Sequence, residues 1–118
     1  MTGYPPGTNP YYIGRTFERW FYETHSIIHQ QVPYKGYRLD GISQNYIIEL
    51  KNYNWNNYSF YNSLIDRFTS QASNYMKLVG QTICDQTIKG VIFCFSSQPP
   101  EEIIRALKAF DVVVDWIT

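Results

Sequence analysis

The stretch RLDGISQNYIIELK, residues 38–51, decides the fold, because it contains parts of two strand-like runs and a polar break between them. The runs cover residues 36–42 and 46–53, and the tripeptide 43–45 separates them. Apolar and β-branched runs on either side of a short polar break predict a β-hairpin. This stretch therefore predicts two neighbouring antiparallel strands.

The second strand carries an acidic and a basic residue in an otherwise apolar run. Successive side chains of a strand point to opposite faces, so Glu49 and Lys51 share one face. Tyr46, Ile48 and Leu50 point to the other face, which predicts contact with a core. A carboxylate and an ammonium group two residues apart are unusual in a purely structural strand. We therefore take Glu49 and Lys51 as candidate site residues.

Asp40 on the first strand joins this pair only if the hairpin has a suitable register. Paired residues share a face, so Asp40 opposite Ile47 would lie diagonal to Glu49, with about 7–8 Å between their backbones. A slip of one residue would turn Asp40 to the other face. The prediction therefore needs an even loop, either Ser43–Gln44 or residues 42–45, and a pairing of Asp40 with Ile47.

Apolar periodicity and helix-breaking residues predict the other elements. The predicted elements are a helix at 13–30, a loop at 52–62, a helix at 61–79, a strand at 89–96, a helix at 100–110 and a strand at 111–117. Residues 1–12 are rich in Pro and Gly, which predicts a flexible lead or linker before one domain at 13–118. The order α-β-β-α-β-α-β, with a right-handed parallel crossover at its end, predicts a three-layer α/β/α fold with a mixed four-stranded sheet.

Length and composition narrow the class of protein. A chain of 118 residues suits one domain with its own core. Ten Lys and Arg residues balance ten Asp and Glu residues, which argues against a strongly basic nucleic-acid binder but leaves room for a local basic face. The aromatic fraction of 18% is high, and Tyr and Trp suit contacts with bases or with another protein. No apolar stretch approaches the roughly 20 residues of a membrane span, and the first residues lack the pattern of a signal peptide.

Two carboxylates that converge beside a lysine predict metal-assisted hydrolysis. Asp40 and Glu49, completed by water, offer the oxygen ligands that Mg²⁺ prefers, and Mn²⁺ is the alternative ion. The backbone carbonyl of Leu50 is a further candidate metal ligand. Such an ion polarises a phosphate and lowers the pKa of bound water. Lys51 beside it would orient or deprotonate the attacking water and stabilise charge on the phosphorane.

Asp40 and the tripeptide Glu49-Leu50-Lys51, on the second strand of a hairpin, resemble the signature of the PD-(D/E)XK nucleases, the restriction-endonuclease-like superfamily. The helices on either side match the order of that superfamily's core, over most of the chain. Leu39 stands where the name-giving Pro of the signature would be. The resemblance implies a restriction-endonuclease-like fold and a Mg²⁺-dependent endonuclease, in which the acidic pair and the lysine are catalytic.

The resemblance adds residues from both flanking helices. A Glu on the first helix often joins the metal site in this superfamily, and Glu18 matches it here. Gln71 and Tyr75 match the Gln-x-x-x-Tyr motif that follows the lysine strand in the RecB-like subgroup, so Gln71 is a catalytic candidate that orients Lys51 or touches phosphate. Much of the positive charge precedes or surrounds the predicted centre, which suits an approaching nucleic acid. The residues that we assign to nucleic-acid contact are Arg15, Arg19, Tyr22, Arg38 and Tyr75.

Several of these residues also have purely structural interpretations. Asp40 begins an Asp-Gly pair, which is a frequent turn in hairpins. Glu49 and Lys51 would suit the solvent face of an edge strand. Glu18 would be ordinary on a helix surface, and Tyr75 would be ordinary in the apolar stripe of its helix.

The segment NYNWNNYSFYN, residues 52–62, has three interpretations that the sequence leaves open. Its aromatic rings could stack on nucleic-acid bases, because such stacking tolerates any base sequence. The rings could instead contact a protein partner, or fold over the helices as packing.

The run RLDGI…YIIELKNYNW and the Gln-bearing helix also resemble the C-terminal nuclease domains of bacterial contact-dependent inhibition and Rhs toxins. This resemblance implies delivery from a larger toxin into the cytoplasm of a target cell, DNA or RNA as substrate with DNA favoured, and a cognate immunity protein as partner. Two alternatives stay open: a cytoplasmic repair nuclease or junction resolvase, and a non-catalytic binding module on the same fold. The oligomeric state is also open.

Overall fold

The structure, a computed structural model, describes residues 13–117, with side chains from Phe17 onward. Within that range its helices are α1 (Ile13–His25), α2 (Asn62–Met76) and α3 (Glu101–Lys108). Its strands are β1 (His29–Tyr34), β2 (Tyr37–Ser43), β3 (Tyr46–Lys51), β4 (Thr82–Ile83), β5 (Gln86–Thr87), β6 (Gly90–Phe95) and β7 (Val113–Trp116). A 3-10 turn, Trp55–Asn57, lies between β3 and α2. The predicted lead of residues 1–12 lies outside the described residues.

The five longer strands form one mixed sheet in the order β1-β2-β3-β6-β7. Neighbouring strands are antiparallel from β1 to β3, and parallel from β3 through β6 to β7. The predicted mixed sheet and the parallel pairing of the two C-terminal strands are therefore confirmed. β4 and β5 form a separate two-stranded hairpin, which the periodicity of the sequence does not predict.

The prediction of four strands is wrong, because β1 adds a fifth strand at the edge of the sheet. Helix α1 ends at His25 and does not continue to Gln30 as predicted. The next residue, Ser26, has a positive φ of 53°. Glutamine is a good helix former and Pro33 is typical of a helix end, so the local sequence favours a helix here. An edge strand tolerates proline, however, and pairing with β2 selects the extended conformation.

The hairpin of β2 and β3 has a two-residue turn, Gln44–Asn45, in which both residues have positive φ, 53° and 71°. Two left-handed residues match the twist of the strands in a tight hairpin. Ile42 pairs with Ile47, so the predicted pairing of Asp40 with Ile47 is wrong by two residues. The pairing ends at Gly41 and Ile48, so Asp40 lies just beyond the last pair, and its carboxylate accepts from the N–H of Leu50 on β3.

The two faces of β3 pack against different helices. Ile47 points to the face where Phe68 of α2 and residues of α3 share one core cluster. Ile48 and Leu50 point to the other face, where they pack with Phe17 of α1. Each large apolar side chain that is fully buried contributes about 1.5–3 kcal/mol, so both faces stabilise this strand. Burial from two sides explains why β3 is apolar along nearly its whole length.

The remaining predicted elements are present with shorter bounds. The helix predicted at 61–79 is α2, the helix predicted at 100–110 is α3, and the strands predicted at 89–96 and 111–117 are β6 and β7. No helix within residues 13–117 is both long and apolar enough to cross a bilayer. The sheet thus places β3, with its two charged residues, between β2 and β6 in the interior.

Candidate active site

Asp40 lies where β2 and β3 separate. Its Oδ2 accepts a 2.8 Å hydrogen bond from the backbone N–H of Leu50, and its backbone carbonyl accepts a hydrogen bond from the hydroxyl of Tyr22 on α1. Asp40 is thus held by the neighbouring strand and by a helix at the same time. The interpretation of Asp40 as a turn residue is wrong, since it lies within β2 and the turn is at Gln44–Asn45.

The backbone of Leu50 faces the same gap. Lys51 uses its carbonyl to accept a 2.9 Å bond from the N–H of Ser96, on the β6 side. Carbonyls of successive residues in a strand point to opposite edges, so the Leu50 carbonyl points to the β2 side. The Leu50 N–H already meets Asp40 on that side. A backbone oxygen and a carboxylate therefore border one gap between β2 and β3.

Glu49 lies beside Asp40 in the interior, with 6% of its surface exposed. The pKa of Glu49 is raised to about 9, mostly by burial and then by hydrogen bonding to Asp40 and by the charge of Asp40, while Lys51 and Tyr75 lower it. With this shift, Glu49 keeps its proton near neutral pH, and the charge of Asp40 acts on it at short range. Asp40 and Glu49 therefore converge, as the sequence predicts. The interpretation of Glu49 as a solvent-facing residue is wrong.

Lys51 is also buried, with 9% of its surface exposed. Its Nζ donates a 2.7 Å hydrogen bond to Oε1 of Gln71 on α2, and it lies 5.1 Å from the ring centre of Phe68. Burial lowers the pKa of Lys51, the nearby charge of Arg67 lowers it further, and the two carboxyls oppose this shift. The sequence motif predicts this contact between Gln71 and the lysine, and the structure brings the two side chains together.

Glu18 joins the site through a network on the α1 side. Gln31 on β1 donates from its Nε2 to Oε2 of Glu18 and to the hydroxyl of Tyr22, both at 3.0 Å. The charge of Glu18 is close enough to raise the pKa values of Tyr22 and Lys51. Gln31 has a positive φ of 50°, a conformation that is costly for a residue with a side chain. The sequence does not predict Gln31 as a site residue, because its local pattern favours a helix.

The residues predicted to contact nucleic acid occupy different environments. Tyr75 is buried, lies close enough to Glu49 to lower the pKa of that carboxyl, and packs edge-on against Tyr37 at 5.8 Å. Tyr22 is half-buried and touches Asp40 and Gln31, as described above. Arg19 and Arg38 are exposed. The side chain of Arg15 lies outside the described residues.

The donor set fits a hard divalent cation. Glu49 is buried and Asp40 beside it is half-buried, so a cation between them would offset the cost of charging Glu49 there, and the Leu50 carbonyl borders the same gap. Across residues 17–117, no three His, Cys, Asp or Glu side chains group closely enough to hold one ion. The fit is therefore to two carboxylates, a carbonyl and water, and Mg²⁺ usually keeps several of its waters. Glu18, whose Oε2 accepts from Gln31, stays a predicted ligand.

Comparisons with protein-family models, with curated proteins and with solved structures give no match for this chain. The assignment of a function therefore depends on the geometry of the residues themselves. Those residues are a buried glutamate beside a half-buried aspartate, a buried lysine held by a glutamine, and a third carboxylate joined to them through Gln31 and Tyr22.

Proposed function

We propose that this chain is a Mg²⁺- or Mn²⁺-dependent nuclease that hydrolyses phosphodiester bonds in DNA or RNA. The observation that carries the proposal is the convergence of buried Glu49 and half-buried Asp40 beside buried Lys51, with Lys51 held by Gln71. A purely structural protein has little reason to bury Glu49 and Lys51 beside a third ionisable group, Asp40, because each buried group costs desolvation free energy. Perturbed pKa values concentrated at one place favour a functional site.

The arrangement of the helices supports a restriction-endonuclease-like fold for the proposed nuclease. Helix α1 packs on one face of β3, while α2 and α3 pack on the other, as in a three-layer α/β/α domain. A mixed sheet in which a hairpin precedes two parallel strands agrees with the core order of PD-(D/E)XK enzymes. The fifth strand, β1, is an addition at the edge and does not interrupt that core.

Asp40, Glu49 and the Leu50 carbonyl are the groups that would hold the cation. When bound, Mg²⁺ would polarise the scissile phosphate and lower the pKa of a water molecule. Asp40 is pre-oriented by the Leu50 N–H, so this carboxylate loses little side-chain entropy when it takes up its role. Glu49 must release its proton before its carboxylate can act as a ligand.

Lys51 is placed to act on the attacking water and on the phosphoryl group. Burial lowers its pKa, which makes the neutral amine more accessible than for a lysine in water. The amine would take a proton from water as the oxygen forms a bond to phosphorus and the bond to the leaving oxygen breaks. Gln71 fixes the direction of Nζ during this step through its 2.7 Å hydrogen bond. The resulting ammonium stabilises negative charge on the phosphoryl oxygens.

A cleavage assay tests this function directly. Pure protein is incubated with plasmid, linear DNA and total tRNA, with Mg²⁺ or with EDTA, and the products are separated on gels. We expect Mg²⁺-dependent cleavage of at least one substrate, and its loss in Asp40→Asn and Glu49→Gln. Glu102→Gln, an exposed carboxylate on α3, is the matched control and should cut normally. Undiminished cleavage by either site variant would falsify the mechanism.

We further propose that the nuclease is the toxic domain of a bacterial competition system, delivered into a target cell and neutralised by an immunity protein. The support is the resemblance of the run RLDGI…YIIELKNYNW to such domains. Expression of the chain alone in bacteria should stop growth, while the Asp40→Asn variant should be harmless at equal protein levels. Equal toxicity of both proteins would refute this role and leave the cleavage chemistry to be judged by the assay above.

A further inference from the structure

Arg67 lies at the margin of the candidate site on helix α2. It is exposed and precedes Gln71 by four residues, so the two side chains are neighbours on one face of the helix, with about 5–6 Å between their Cβ atoms. It is linked to Lys51 by contacts: its Nη1 bonds to the Tyr53 hydroxyl, Tyr53 packs against Phe68, and the Phe68 ring lies 5.1 Å from the Lys51 Nζ. Arg67 is therefore a cation at the entrance to the carboxyl pair and the lysine.

The guanidinium of Arg67 has hydrogen-bonding capacity to spare. In the part of the chain that the structure describes, its hydrogen bond is the one from Nη1 to the hydroxyl of Tyr53, at 3.4 Å. A guanidinium carries five N–H donors in a planar fork that matches two phosphate oxygens. Arg67 thus offers an exposed fork next to the group that we propose to act on a phosphodiester.

Tyr53 connects Arg67 to an aromatic wall that follows the catalytic strand. The rings of Tyr53 and Trp55 are nearly parallel, with centroids 5.4 Å apart and an interplanar angle of 13°. Tyr53 also packs edge-on against Phe68 at 5.3 Å, and the Phe68 ring lies under the Lys51 Nζ. Both rings of the wall are half-buried, so part of each surface faces solvent. The wall therefore begins beside the reacting centre.

The segment that carries this wall is ordered by its own contacts. The side chain of Asn54 caps the 3-10 turn by accepting from the N–H of Asn56 at 3.1 Å. Trp55 donates from its Nε1 to the carbonyl of Ser97 at 3.4 Å. A surface held in this way needs little ordering when a ligand binds, which favours recognition. Of the three interpretations of residues 52–62, packing explains the buried parts of these rings. It does not explain the parts that face solvent.

We infer that Arg67, Tyr53 and Trp55 form a binding site for an unpaired nucleotide next to the phosphodiester that is cut. This inference rests on the proposed nuclease function and names the substrate class as single-stranded nucleic acid. Arg67 binds a neighbouring phosphate, because its exposed guanidinium has free donors and is linked to the site through Tyr53. The base contacts the aromatic wall, which requires a base whose face is not covered by its neighbours in a duplex.

The overall charge of the protein makes this local contact necessary. The formal net charge is +0, so attraction of the whole molecule for a polyanion is weak. Affinity must then come from local cations and from stacking, which contributes about 1–3 kcal/mol per base. If one base stacks and one phosphate is contacted, the affinity should depend less on salt than it does for proteins that neutralise many phosphates.

Binding without cleavage tests the inference. Fluorescence anisotropy is measured with labelled single-stranded DNA, single-stranded RNA and duplex DNA of about 12 nucleotides, in EDTA to prevent cleavage. We expect single strands to bind at least about fivefold more tightly than duplex. Single-stranded DNA and single-stranded RNA are both measured, because each offers an unpaired base beside a phosphate. Arg67→Gln should weaken binding at least about fivefold and reduce the salt slope by about one. Arg105→Gln, an exposed arginine on α3, is the matched control and should bind normally.

Tryptophan fluorescence locates the base. In a Trp20→Phe/Trp116→Phe background, Trp55 is the remaining tryptophan of the chain. Addition of a single strand should quench its emission, with the same midpoint as the anisotropy titration. Circular dichroism of each variant checks that the fold is retained.

The outcomes separate this inference from the nuclease proposal. Strand binding with the expected Arg67 dependence, but no cleavage in Mg²⁺, would support the site and refute the nuclease. Cleavage with unchanged binding and KM in Arg67→Gln would refute the site and support the nuclease. Equal or tighter binding of duplex, no binding of any strand, or an unquenched Trp55 with bound strand would each overturn the inference.

Discussion

The Nζ of Lys51 donates a 2.7 Å hydrogen bond to Oε1 of Gln71, and this contact joins the hairpin to helix α2. Gln71 is neutral, so it holds the ammonium group in place without cancelling its charge. A carboxylate at the same position would form an ion pair and raise the pKa of Lys51. An amide at this position therefore leaves the pKa of Lys51 lowered by burial, where a carboxylate would raise it.

Two substitutions of Gln71 should separate its effect on the pKa of Lys51 from its effect on stability. Gln71→Glu should raise the pKa of Lys51, lower cleavage at neutral pH at least about tenfold, and move the rising limb of the pH–rate profile upward. Gln71→Met removes the acceptor and should cost about 1–3 kcal/mol of unfolding free energy, because the buried ammonium loses its partner. Urea denaturation and a pH–rate profile measure the two outcomes. A wild-type profile in Gln71→Glu would contradict the role given to Gln71.

The shifted pKa of Glu49 predicts that stability depends on pH. The folded state raises the pKa from 4.5 to about 9, so it binds a proton more tightly than the unfolded chain. The stabilisation is complete below the unfolded pKa and is lost as pH rises towards the folded value. Glu49→Gln cannot lose this proton, so in EDTA its stability relative to wild type should rise with pH.

The size of this effect is up to about 1.4 kcal/mol per pH unit for a single group, between about pH 5 and pH 8. Urea denaturation at several pH values measures it, with Glu102→Gln on α3 as the control for a surface carboxyl. A constant difference between Glu49→Gln and wild type across this range would show that Glu49 is ionised in the folded protein.

The parts of the site that the sequence predicts are those set by local geometry. Glu49 and Lys51 are two residues apart in one strand, so alternation alone places them on one face. Asp40 lies on the neighbouring strand, so its approach to Glu49 is predicted, although the register differs by two residues and the pairing ends at Gly41. That difference arises at the turn, because the left-handed conformation of Gln44 is unusual for glutamine.

The contributions of Gln31 and Arg67 depend on tertiary structure and were beyond prediction from the sequence. Gln31 reaches Glu18 because β1 pairs with β2, and the local sequence of β1 resembles the end of a helix. Arg67 reaches the site because the segment before α2 folds back and places Tyr53 against the helix. No motif of characteristic spacing in the sequence indicates either of these two contacts.

Binding of a divalent cation should stabilise the protein through the carboxyl pair. A ligand present at about 100 times its Kd stabilises by about 2.7 kcal/mol, which a thermal unfolding scan detects as a rise in Tm. We expect this rise with Mg²⁺ in wild type and not in Asp40→Asn. The rise should increase with pH, because the proton held by Glu49 must leave when the ion binds. An equal rise in Asp40→Asn would place the ion elsewhere.

Gln31 links a strained backbone to the position of Glu18 and Tyr22. Its φ of 50° costs about 1–2 kcal/mol for a residue with a side chain, and glycine avoids that cost. Gln31→Gly should therefore be more stable than Gln31→Ala by about 1 kcal/mol, as measured by urea denaturation. Both variants remove the amide that donates to Glu18 and Tyr22, so both should cleave nucleic acid more slowly than wild type.

Comparing Gln31→Gly with Gln31→Ala separates the effect of backbone strain from the effect of the lost hydrogen bonds. Glycine relieves the strain and alanine keeps it, while neither residue restores the hydrogen bonds of the amide. Equal stability of the two variants would mean that the backbone of Gln31 is not strained. Full activity in Gln31→Gly would mean that Glu18 and Tyr22 need no positioning by the amide. A loss of activity that is similar in both, with a difference in stability, would support a positioning role for the side chain. The strain at Gln31 is then the cost of directing its amide towards α1, where it orders the third carboxylate beside Asp40.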